Sequence, residues 1–146
     1  MTSGRLAGAV YNRWLRAFAR TEELNLRAQR GDFDQALTGY REVVDTWFRG
    51  GEWANQWLTL RHLFEVFAAL GDDEIAAVLH GALDAAGATT ALPFEPSGAA
   101  RVNALAGTVR ARYGPAAFDA AVNRGRTMRD EEVIRTTLEH LDARSS

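Results

Sequence analysis

Two glycine–aspartate steps, Gly31-Asp32 and Gly71-Asp72, stand 40 residues apart, and each is followed by alanine at the same offset, Ala36 and Ala76. Self-similarity at a fixed period of this size marks a stacked unit that cannot bury its apolar face alone. Glycine ends a helix by turning left-handed, and an acid just after it suits the positive end of the next helix. Between the turns apolar residues recur at helical spacing, so the unit is a pair of helices.

The same spacing predicts the rest of the chain. A first helix covers 12–30 through Trp14, Leu15, Ala17, Phe18, Leu24 and Ala28, and a second runs from Phe33 to about Arg49, where Gly50-Gly51 stops it. A third, 53–70, is apolar on most of its circumference and must be central. A fourth carries Ile75, Val78, Leu79 and Leu83 and ends near Gly87. Pro93 and Pro96 make 88–97 a linker, with Ser97 placed to cap a fifth helix through Val102, Leu105, Ala106, Val109 and Tyr113. Gly114-Pro115 starts a sixth helix. Thr127-Met128-Arg129-Asp130 has the form of a capping box leading into a seventh, with Val133, Ile134, Leu138 and Leu141. No strand pattern competes. The expectation is an all-α single domain over 1–146: helix pairs at 12–49 and 53–87, the linker, and a three-helix cap over 98–143.

Gly31-Asp32-Phe33-x-x-Ala36-Leu37-x-x-Tyr40 resembles the second half of a tetratricopeptide repeat, in which the small Ala36 lets paired helices approach and Tyr40 fills the space beside it. In the second unit His80 stands where the aromatic belongs, and the period of about 40 implies helices longer than the standard repeat. Residues 12 to about 142 also resemble the C-terminal helical-repeat region of large actinobacterial signal-transduction ATPases and LuxR-type transcriptional regulators. That likeness rests on Asn12-Arg13-Trp14, Gly31-Asp32-Phe33, Trp53-x-x-x-Trp57-x-x-Leu60-Arg61, Ala76-Ala77-x-Leu79-His80-Gly81-Ala82, Tyr113-Gly114-x-x-x-Phe118 and Gly125-Arg126. It implies a region that senses a ligand or contacts a protein, with DNA binding located elsewhere: the tail of such a regulator, or a stand-alone relative.

Composition narrows the chemistry. There is no cysteine, which removes thiolate nucleophiles, disulfides and Cys-based zinc sites. All 17 basic residues are arginine, so neither a P-loop lysine nor a Schiff-base amine exists. No apolar run approaches the roughly 18 residues that cross a bilayer, and the first residues lack the apolar stretch of a signal peptide, which points to the cytoplasm. Residues 1–30 carry six arginines against two glutamates, whereas 51–100 carry Arg61 alone against seven acids. The net charge of −2 argues against direct nucleic-acid contact.

The candidate sites are few. Arg13, Arg16, Arg20, Glu23, Arg27 and Arg30 follow spacings of 3 and 4 and share one helix face. Guanidinium forks on such a stripe suit a phosphate or an acidic partner. The plain alternative is a solvated face with Glu23–Arg27 as an i,i+4 pair; a third option is the acidic middle of a second copy, giving a homodimer. On the third helix Asn55, Thr59, Arg61 and His62 form a polar strip that suits a sensor pocket or one wet stripe. Trp47, Phe48, Trp53 and Trp57 gather around Gly50-Gly51, as core or as a ligand box. His62, His80 and His140 fall on three helices without metal-ligand spacing. The acids at 72–74 and 130–132 sit at helix starts, where the dipole accounts for them. These residues predict no catalytic site, metal or cofactor. The expected function is a non-catalytic protein-interaction or sensor module of a larger regulator, with a small-molecule pocket between repeats and cap as the alternative.

Overall fold

The computed structural model describes residues 2–87 and 98–145, with side chains for 12, 15–87 and 100–145. The linker 88–97, Ser97 included, lies outside the described residues, as do the side chains of Arg13 and Trp14. Seven helices and no strand are present among them: α1 (Thr2–Gln29), α2 (Phe33–Gly50), α3 (Trp53–Leu70), α4 (Asp73–Ala85), α5 (Gly98–Tyr113), α6 (Pro115–Thr127) and α7 (Asp130–Ser145). This is an all-α, helical repeat-like fold.

One turn, used three times, sets its first half. Gly31, Gly51 and Gly71 take positive φ of 84°, 68° and 82°. The N–H groups of Asp32, Glu52 and Asp72 donate across them to the carbonyls of Arg27, Trp47 and Phe67 at 3.0, 2.9 and 3.0 Å. Those same acids accept from Ala36, Gln56 and Ala76 at 3.1, 2.9 and 3.1 Å, opening the next helix. A glycine in the left-handed region closes one helix while the following residue starts another. Two-residue turns between the 18-residue helices α2 and α3 generate the period of 40. The middle turn lies where the sequence places a helix stop, and Gly51-Glu52 in place of Gly-Asp conceals that it is the same turn as the other two.

Two boundaries differ from expectation. Helix α1 starts at Thr2, ten residues ahead of the predicted position 12. Residues 2–11 are mostly small, so they carry little apolar periodicity, yet no proline interrupts them. Thr127 is not the cap of α7: it belongs to α6, and its hydroxyl donates to the carbonyls of Asn123 at 3.3 Å and Arg124 at 3.0 Å. Helix α7 opens instead on the carbonyl of Arg129, which accepts from the N–H of Val133 at 3.1 Å.

Helices α1 and α2, then α3 and α4, form antiparallel pairs, and α2 packs on α3 between them. Ala36, Tyr40, Val44, Leu60, Leu63, Phe64, Phe67, Ala76 and Leu79 are buried in one continuous core. Helix α4 touches every cap helix. It buries Ile75 through Leu79 and then Gly81 through Leu83. Its closest neighbour is α6, where the position a Cβ of Gly81 would take is occupied by the carbonyl oxygen of Val122. The matching position at Gly125 is occupied by the carbonyl of Val78. Ala77-x-x-x-Gly81 and Ala121-x-x-x-Gly125 are thus a pair of small-residue strips that bring two backbones together.

A methyl group at either glycine has a backbone, not a movable side chain, in its way. Gly81→Ala and Gly125→Ala should each cost about 3 kcal/mol in urea unfolding. Gly107→Ala is the control: the Cβ there meets nothing within 4 Å, and the change should stabilise by about 0.5–1 kcal/mol.

Candidate functional site

Along α1, Arg16, Arg20 and Arg27 line the side turned toward α2. Glu23 sits among them, 3.1 Å from Arg20 and 3.1 Å from Arg27. Hydrogen bonds from Arg27 first and Arg20 second hold its carboxyl below the ordinary value of 4.5. Arg27 also reaches Asp32 at 3.5 Å and donates to Gln35 across the hairpin. Arg16 and Arg30 are exposed and have no acid within ion-pair distance among the described residues. Between α1 and α2 a cleft of about 330 Å³ is lined by Arg16, Ala17, Arg20, Glu42, Val43 and Thr46. A second of about 310 Å³ is lined by Arg20, Arg27, Asp34, Gln35 and Thr38. Arg20 belongs to both, so the two form one shallow groove.

The polar strip of α3 is not a wet stripe. Thr59, Arg61 and His62 are buried, Arg61 to 1% exposure, and only Asn55 is half-buried. Neighbours on several sides enclose this helix, which packs against α1, α2, α4 and α5. Thr59 works as a joint: its oxygen accepts from Trp47 Nε1 at 3.1 Å, and its hydroxyl donates to the Asn55 carbonyl at 2.9 Å. Gln56, which the pattern did not single out, donates to the Val44 carbonyl at 2.9 Å. His62 lies edge-on to Tyr40 at 6.5 Å. The Tyr40 hydroxyl is buried without a hydrogen-bond partner, and burial pushes its pKa up. A macromolecular partner therefore cannot touch Thr59, Arg61 or His62 in this conformation.

The aromatic group divides. Trp47 is core, while Phe48, Trp53 and Trp57 form a partly exposed run with ring centroids 6.2 and 6.0 Å apart. Among the described residues no group of three histidines or acids is placed to hold a metal ion. No helix there is long and apolar enough to cross a membrane.

Five of the seven acids in the acidic middle are spoken for within the chain. Glu65 pairs with Arg101 at 2.5 Å, Asp73 with Arg112 at 2.6 Å, Glu74 with Arg124 at 2.9 Å and Asp84 with Arg126 at 2.5 Å. Asp72 takes both His140 at 2.8 Å and Arg144 at 2.6 Å. Every one of these bases lies on the cap. Arg41 of α2 meets Asp142 of α7 at 2.5 Å, a hydrogen bond that lowers the Asp142 pKa and raises that of Arg41. Sequence reasoning assigned the acids to helix dipoles and missed their cross-chain partners. The available signal was the arginine excess of 101–126 facing the acid excess of 51–100. Beneath these pairs a cleft of about 480 Å³ opens between the start of α4, the end of α6 and α7. It is lined by Ile75, Val78, Met128, Arg124, Thr136 and His140 among others.

No protein-family model, curated protein or solved structure matches the chain.

His80 provides a check on the packing around this cap. Its ring lies between Phe64 at 5.7 Å and Phe118 at 6.1 Å, and its Nδ1 has no hydrogen-bond partner. Burial lowers its pKa below the ordinary 6.5. The folded chain then binds that proton less tightly than the unfolded chain, so stability is full above about pH 6.5 and falls as the pH drops below it. His80→Phe should keep the ring stack and remove this contribution. Between about pH 7 and about pH 5 the variant should lose less stability than the parent protein in denaturant titrations; equal losses would show that His80 is not the titrating group.

Proposed function

We propose that the chain is a non-catalytic, cytoplasmic protein-interaction module of a larger signalling or transcriptional regulator, and that the arginine-lined α1–α2 groove receives an acidic segment of a partner protein. The observation that carries this reading is the distribution of unmatched charge. The arginines of the cap are largely matched by acids of the repeats, whereas Arg16, which lines the groove, and Arg30, just past the end of α1, have no acid within ion-pair distance among the described residues. Arg20 and Arg27 share Glu23, so an incoming carboxylate can displace one arm without leaving a buried charge behind. The likeness to regulator tails noted in the sequence agrees with such a role.

A fluorescent, Glu-rich helical peptide is a suitable probe. Its anisotropy titration should give binding that weakens as salt rises, and Arg16→Glu/Arg20→Glu/Arg27→Glu together should weaken it at least about tenfold, which is about 1.4 kcal/mol. Equal affinity for the parent and the triple variant would overturn the reading.

The cleft at His140 favours a second reading, a small effector held between repeats and cap, since apolar Ile75, Val78 and Met128 there meet polar Thr136, Arg124 and His140. A metabolite that raises Tm in the parent protein but not in His140→Ala would select it.

A further inference from the structure

The α1–α2 groove does not end at α2. Asp34 and Thr38, which line it beside Arg20 and Arg27, also line a third cleft of about 340 Å³ on the far side of that helix, between α2 and the end of α7. The walls of this cleft are Leu37 and Arg41 from α2 and Leu141, Arg144 and Ser145 from α7. At 100° per residue, Asp34 and Thr38 fall between Gln35, on the flank of α2 that faces α1, and Leu37, on the flank that faces α7. They are the ridge between the two depressions. The ridge is low, because the Thr38 hydroxyl turns back on its own helix and donates to the Asp34 carbonyl at 3.0 Å.

The two sides and the ridge differ in charge. On the α1 side, Arg16 has no acid within ion-pair distance among the described residues, and Arg20 and Arg27 share Glu23. On the α7 side the arginines are matched from within the chain, Arg41 by Asp142 at 2.5 Å and Arg144 by Asp72 at 2.6 Å. The floor there is Leu37 and Leu141, exposed to only 8% and 5%. A cleft with offset charges and an apolar floor gains most from an apolar side chain. On the ridge, Asp34 is exposed with no base within ion-pair distance among the described residues, so it repels an acid and attracts a base.

We propose that the partner segment has three parts and that the last of them lies beyond the α1–α2 groove. An acidic stretch lies against the arginines of α1, an uncharged or basic step crosses Asp34 and Thr38, and one apolar side chain seats on Leu37 and Leu141. This rests on the groove receiving an acidic segment, and it specifies what stands next to that segment in the partner's chain. The crossing step is extended, since a helix laid over the convex face of α2 touches the ridge and fills neither depression. That face is about 10–12 Å across, which about four extended residues span.

Anisotropy titrations separate the parts when the Glu-rich peptide is extended, at one end or the other, by Gly-Ser-Gly-Ser and then leucine. One of the two leucine-tailed peptides should bind at least about fivefold tighter than its asparagine-tailed twin. Ser145→Trp fills the α2–α7 cleft from an exposed position. It should erase that gain and leave the asparagine-tailed peptide unchanged. Lysine in the spacer should be preferred to glutamate by at least about threefold, and Asp34→Asn should remove the preference. No gain from leucine at either end, a gain that survives Ser145→Trp, or a spacer preference that is absent or survives Asp34→Asn would each overturn the proposal. If the plain Glu-rich peptide fails to bind, the groove itself is not the acidic site and the proposal falls with it, so the two failures are distinct.

Discussion

At the crossing of α4 and α6 two glycines remove the side chains that hold packed helix axes 8–10 Å apart in most proteins. The carbonyl oxygens of Val122 and Val78 sit where the missing Cβ atoms of Gly81 and Gly125 would be. Such a contact is all or none: no rotamer change relieves a backbone clash, so the register of α6 on α4 is fixed by two residues. Helix α5 reaches α3 and α4, and α7 reaches α2 and α4. The cap is thus positioned by its tightest joint and needs no single large apolar interface.

The ion pairs then have a definite role. Individually such half-exposed pairs contribute at most about 1 kcal/mol. Their value lies in orientation, because each cap helix supplies arginines that match acids on the repeats and would face wrong partners in any other docking. Arg112 illustrates the point: it grips Asp73 at 2.6 Å while donating to the Ala68 carbonyl at 2.7 Å, satisfying the last turn of α3. The charge asymmetry of the sequence is in this way an intramolecular address.

The helices, the turns at Gly31 and Gly71, the buried alanines and Tyr40 were legible because each obeys a local rule: period, breaker and small residue at fixed offset. What escaped shares a different property. Whether Thr59, Arg61 and His62 face water depends on which helices enclose α3, and that is decided by α1, α2, α4 and α5 together. The Asp72–His140–Arg144 cluster joins residues some 70 positions apart, and no spacing rule spans that. The α4–α6 joint falls between these cases. Its Ala-x-x-x-Gly strips are visible, but in an alanine-rich chain only a second matching strip, Ala121-x-x-x-Gly125, raises the first above background.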